Sequence, residues 1–143
     1  MTLEQNKATV RRLYDDIWNK RRLAVVDEIY SPGIVYRAPR QEVRGRDALK
    51  KLVQQYMNAF ADSRMTFDRV LAEGDTVLLH WTFNGVHKGE LFGAAPTGRT
   101  LTLSGMTVDR LVEGKVVEEW EVFDELGLRQ QIGLVPEPAG VHV

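Results

Sequence analysis

Residues 113–133 read EGKVVEEWEVFDELGLRQQIG, and the change of period within them decides the fold class. Glu113-Gly114 is a tight-turn signal. Val116, Glu118, Trp120, Val122 and Asp124 then fall on one face of an extended segment, because side chains alternate along a strand. Leu126, Leu128, Gln131 and Ile132 follow at helical spacing. The spacing predicts a strand that ends near Asp124 and a short helix that starts there. Asp124 then has two readings. It can N-cap the helix. Alternatively, sharing a face with Trp120, it can sit at the mouth or floor of an apolar cavity, where low dielectric raises a carboxyl towards a useful base.

Working outward, residues 99–112 form the preceding strand, with Gly105 as its candidate bulge. Residues 76–87 form a long strand, with Val77, Leu79, Trp81 and Phe83 on one face and Leu78, His80, Thr82, Asn84 and Val86 on the other. Met65, Phe67, Arg69 and Leu71 alternate before the Glu73-Gly74-Asp75 turn. Residues 89–98 are a loop of small residues. The first half of the chain is helical instead. Thr2 and Gln5 have capping-box spacing, and Val10, Leu13, Tyr14, Ile17 and Trp18 form a stripe. A short helix spans residues 23–30, and Ser31-Pro32-Gly33 stops it. Ile34-Val35-Tyr36 is a short strand, followed by a polar loop. Leu49, Leu52, Val53, Tyr56, Met57 and Phe60 give a third helix. Helices first and antiparallel strands second is an α+β pattern. Three helices covering the concave face of a curved sheet make a cone with one open end, which is a pocket.

The 143 residues suffice for one domain, expected over residues 1–135 with a loose tail at 136–143. The 19 basic and 20 acidic residues show no basic stripe, so no nucleic-acid partner is expected. The absence of cysteine excludes disulfides, thiol nucleophiles and thiolate metal sites. The N-terminus holds no apolar run, so no membrane association and a cytoplasmic location are expected. His80 and His87 stand at odd separation with no carboxylate at ligand spacing, so no metal and no cofactor are expected. Glu118, Glu119, Glu121, Asp124 and Glu125 read as a solvated strand face and a helix N-terminus. Tyr14, Trp18, Tyr36, Tyr56, Phe60, His87 and Trp120 are the candidates for a substrate-binding wall around a hydrophobic small molecule.

Three stretches together resemble the SnoaL-like polyketide cyclases, also called ester cyclases, of the nuclear-transport-factor-2-like superfamily. They are NKATVRRLYDDIWNKRRL, EGDTVLLHWTFNGVHKGELFGAAPTGRTLTLSG and the 113–133 segment. The resemblance implies a cone-shaped α+β barrel, three N-terminal helices on a mainly antiparallel sheet, and a homodimer formed through the sheets. It implies cofactor-free intramolecular aldol ring closure, with Asp124 as acid/base in the W-x-x-x-D context. The chain departs from the family at Tyr36-Arg37, where many relatives carry histidine. It also lacks the histidine of residues 99–112, and both departures weigh against the cyclases' own chemistry. A ketosteroid-isomerase-like isomerase or a hydroxylase on the same fold, and a non-catalytic dimeric small-molecule binder, are the alternatives.

Overall fold

The computed structural model describes residues 1–137. The tail expected to be loose therefore lies largely outside the described residues.

Thr2 caps the first helix, α1 (Leu3–Tyr14), with both bonds of the capping box formed. A π-helical turn, Asp15–Asn19, continues α1. The Asn19 side-chain amide bonds the backbone N–H and C=O of Met65, fixing this turn to a strand on the far side of the core. Helix α2 (Val25–Ile29) runs directly into strand β1 (Tyr30–Ala38), and the expected stop at Ser31-Pro32-Gly33 is an irregularity within that strand. The polar loop expected after it contains a short strand, β2 (Gln41–Arg44). It was hidden because only one of its four residues, Val43, is even partly buried. Helix α3 (Arg46–Ala59) follows, then β3 (Phe60–Glu73), β4 (Thr76–His87), β5 (Thr100–Val112), β6 (Lys115–Phe123) and α4 (Glu125–Gln131).

The six strands form one open sheet in the order β2-β1-β6-β5-β4-β3. All neighbours are antiparallel except β1 and β6, which are parallel. Helix α1 packs on β3 and β4, and α3 packs on β1, so the concave face of the sheet is covered as the α+β reading requires. Inward residues are Val77, Leu79, Trp81 and Phe83 on β4 and Leu101, Leu103 and Leu111 on β5, all buried.

Gly105 is not a bulge. The β4–β5 register runs unbroken through Trp81↔Gly105. A Cβ there would lie 2.4 Å from Trp81 Cζ2 and 2.9 Å from Phe123 Cβ, so the glycine makes room for the indole. The bulge that matters is in β6. Arg110 pairs with Glu118 but Leu111 pairs with Val116, leaving Val117 as one extra residue. An extra residue moves every later side chain to the opposite face. Val116 is buried, but beyond the bulge Glu119 and Glu121 turn inward while Trp120 and Val122 are exposed. The single face expected for Val116, Glu118, Trp120, Val122 and Asp124 is thereby broken. A second register shift, between Phe67 and Arg69 in β3, likewise turns Leu71 outward, where it is exposed.

Candidate functional site

The concave face of the sheet and the helices enclose a chamber of about 70 Å³. Tyr14, Ile17 and Trp18 reach it from α1 and the π-turn, Tyr56 from α3, and Trp81 and Phe83 from β4. The aromatic rings meet edge to face, with Trp18 6.4 Å from Tyr56 and 6.5 Å from Phe83, the geometry aromatic quadrupoles favour. At this volume the chamber holds a few waters. A vestibule of about 250 Å³ adjoins it and shares Tyr36, Tyr56 and Phe123 as walls. Together the two spaces reach the low end of the size usual for small-molecule sites, about 300–1,000 Å³.

One wall of the chamber is acidic. Glu119 is buried, and its Oε2 accepts from the hydroxyls of Tyr30 at 2.8 Å and Tyr14 at 3.1 Å. Both tyrosines are held well above the usual phenol range, first by burial and then by the neighbouring carboxylates. Directly across the β5–β6 ladder from Glu119 stands Asp109, fully buried, with no donor in hydrogen-bond reach of either oxygen. Burial first, and then the Glu119 charge, push the Asp109 carboxyl well up.

Glu121 is half-buried and lines the chamber itself. Its Oε1 accepts from Tyr36 Oη at 2.9 Å. Its Oε2 lies 3.5 Å from Thr107 Oγ1, which in turn accepts from Trp81 Nε1 at 3.0 Å. Removal from water and the adjacent Glu119 raise the Glu121 carboxyl to about 7, against the opposing pull of these two hydroxyls. A carboxyl that titrates near neutrality, held in fixed orientation within an aromatic chamber, is suited to moving a proton. Among the described residues no group of three or more histidine, aspartate or glutamate side chains has metal-ligating geometry.

The residues expected from the sequence divide. Tyr14, Trp18, Tyr36, Tyr56 and Phe60 all line the chamber. Trp120 does not. It is 38% exposed on the convex face, with the Arg37 guanidinium 5.6 Å from its ring centroid. Asp124 is exposed as well, and its Oδ1 accepts from Gly127 N at 2.9 Å as the N-cap of α4. The β6 bulge and the end of the strand carry both residues away from the interior. His87 is fully buried but lines neither chamber nor vestibule. Its Nδ1 accepts from the Thr97 backbone N–H at 3.2 Å and so ties down the 89–98 loop. The acidic cluster expected to be solvated supplies the polar wall instead, through Glu119 and Glu121. Asp109 gave no signal, because an aspartate on an alternating strand normally faces water.

The fold has counterparts among known proteins. A comparison with proteins of curated function gives no match. AclR of Streptomyces galilaeus, described as a candidate hydroxylase, superposes with TM-score 0.87 at 30% identity, over 97% of this chain and 87% of that one. A candidate SnoaL-like polyketide cyclase from Jannaschia sp. CCS1 gives TM-score 0.86 at 26% identity, over 93% and 94% of the two chains. IdmH of Streptomyces antibioticus, a candidate polyketide cyclase, gives 0.78 at 25% identity, over 90% and 99%. The profile of the SnoaL-like polyketide cyclases matches residues 8–132. The chain belongs to the SnoaL-like polyketide cyclase family.

Proposed function

We propose that the chain is an acid/base enzyme that closes a ring in a hydrophobic carbonyl compound, with Glu121 rather than Asp124 as its base. The observation that carries the reading is Glu121 itself. It lines an aromatic chamber, is oriented by Tyr36 and Thr107, and titrates near 7. In its ionised form Glu121 takes a proton from a carbon α to a carbonyl, and the C–H electrons become those of an enolate. The enolate carbon bonds to a second carbonyl carbon of the same molecule. The alkoxide so formed recovers the proton from Glu121. Glu119, with Tyr14 and Tyr30 donating to it, holds the neighbouring charge in place, and the aromatic walls keep water from quenching the enolate.

The likeness to AclR, described as a candidate hydroxylase, favours hydroxylation as the second reading.

Deuterium exchange into 1-phenyl-1,3-butanedione, followed by NMR, isolates the first step. Wild type is expected to exceed the buffer rate, and the rate should rise with pH through an inflection near 7, where Glu121 ionises. Glu121→Gln should lower the rate by about a hundredfold or more, whereas Asp124→Asn should leave it unchanged. The reverse pattern would return the base to Asp124, unchanged exchange in both variants would exclude both carboxylates as the base, and a wild type no faster than buffer would leave a non-catalytic binder.

A further inference from the structure

The vestibule and the chamber carry opposite charge. Among the described residues the chamber lining includes Glu119 and Glu121 and no basic side chain. The vestibule lining includes Arg40 and Arg129 against a single acid, Glu125. Arg129 is held in place from two sides. Its Nε and Nη2 lie 3.3 Å and 3.1 Å from Glu125 Oε1, and its Cζ lies 4.7 Å from the centroid of the Phe92 ring. Nη1 has no partner among the described residues, so a fixed guanidinium N–H remains available. Arg40 sits exposed on the turn between β1 and β2. The acids of this side are already paired with arginines. Arg37 and Arg44 hold Glu42, Arg37 and Arg110 hold Glu118, and Arg129 holds Glu125. Two cations therefore face the same vestibule with one carboxylate, Glu125, which is paired to Arg129.

The two spaces adjoin, with Tyr36, Tyr56 and Phe123 lining both, so a ligand that reaches Glu121 from the vestibule side lies against both sets of walls. An anionic group at the inner end would meet two carboxylates in a low-dielectric chamber, where like charges repel far more strongly than in water. At the outer end the same group would meet guanidinium N–H donors, which suit carboxylate and phenolate oxygens.

We infer that the ligand is a flat carbonyl compound carrying one anionic group, and that Arg129 and Arg40 hold that group in the vestibule while the opposite, acidic C–H end enters the chamber. This builds on the reading of the chamber as the reacting end, and it adds the charge and the direction of the substrate. The anion preference is set by the vestibule and not by the reacting carboxylate.

Two probes of the same shape test it, 1-naphthoate and neutral 1-naphthamide, with dissociation constants read from quenching of tryptophan fluorescence. Wild type is expected to bind naphthoate about tenfold more tightly than naphthamide, the worth of one charge-assisted contact in a partly open site. Arg40→Gln, on an exposed turn, should reduce that preference, and the Arg40→Gln/Arg129→Gln pair should remove it. Arg129→Lys should retain part of it by keeping the charge. Glu121→Gln should keep the full preference even as it stops deuterium exchange. A wild type that does not distinguish the probes, or that binds neither at millimolar concentration, overturns the inference. So does a preference that survives in the double arginine variant. Failure of the catalytic assignment shows separately, as exchange that persists in Glu121→Gln.

Discussion

Glu121 links the proposed proton chemistry to the stability of the fold. Its ordinary pKa is 4.5 and its folded value is about 7. Below 4.5 both the folded and unfolded chains hold the proton. Between 4.5 and 7 only the folded chain does, so the folded state binds more protons and stability falls as pH rises. Above 7 the loss is complete. Asp109, pushed up by burial, acts in the same direction. Glu121→Gln cannot ionise and is spared its share of this loss. The variant is therefore expected to be more stable than wild type above pH 7, by on the order of 2 kcal/mol after allowance for partial exposure, and to match it near pH 4. Urea titrations at the two pH values check this. Equal stability of the two proteins at pH 8 would show that burial does not shift Glu121. A catalytic group retained at a cost in stability is the usual trade at an active site.

At the scale of elements, the decisive device is the extra residue Val117. It lets Val116 pack in the core at one end of β6 while Glu119 and Glu121 face the chamber further along. Where β6 ends, Asp124 starts α4, which carries Arg129 to the vestibule. Removing the cap should loosen that placement. Asp124→Ala is expected to cost about 1 kcal/mol, and Asp124→Asn close to nothing, since asparagine caps as well as aspartate. Gly127→Ala should cost no more than Asp124→Ala, because its Cβ would lie 2.2 Å from Asp124 Oδ2, the end of a side chain that can turn away at the expense of the cap, while alanine is the better helix former. Thermal melts of the three variants give the order. An Asp124→Ala melt equal to wild type would mean that α4 is held by Leu128 and Ile132 in the core rather than by its cap.

Across the whole molecule the concave face of the sheet is covered and the convex face is not. Leu71, Met106, Trp120 and Val122 are all exposed there. The pairing Leu71↔Leu78, Leu78↔Val108, Val108↔Trp120 lays an apolar row across four strands. Apolar rows of this kind on a sheet face mark association sites. We propose that two copies meet through this face. Light scattering at micromolar concentration is then expected to give about twice the chain mass, and Trp120→Glu with Val122→Lys to give one chain mass with deuterium exchange retained. Wild type at one chain mass would count against the pairing. Among the described residues no helix is long and apolar enough to cross a membrane.

Periodicity and turn chemistry were sufficient for the helices α1 and α3, for the long strands and for the α+β class, because each buries one face of a regular repeat. The aromatic wall was legible for the same reason: Tyr14, Trp18, Tyr36, Tyr56 and Phe60 lie on those faces. Parity beyond Val117 was not legible, since a bulge is a property of two paired strands and leaves no mark in one of them. It was the bulge that exchanged Trp120 and Asp124 for Glu119 and Glu121. Asp109 likewise became part of the site only through the ladder that sets it opposite Glu119. The sequence by itself determined which elements form and which faces are apolar, because both depend on neighbours along the chain. The tertiary structure alone decided which carboxylates are taken from water, because burial and pKa depend on neighbours across the sheet.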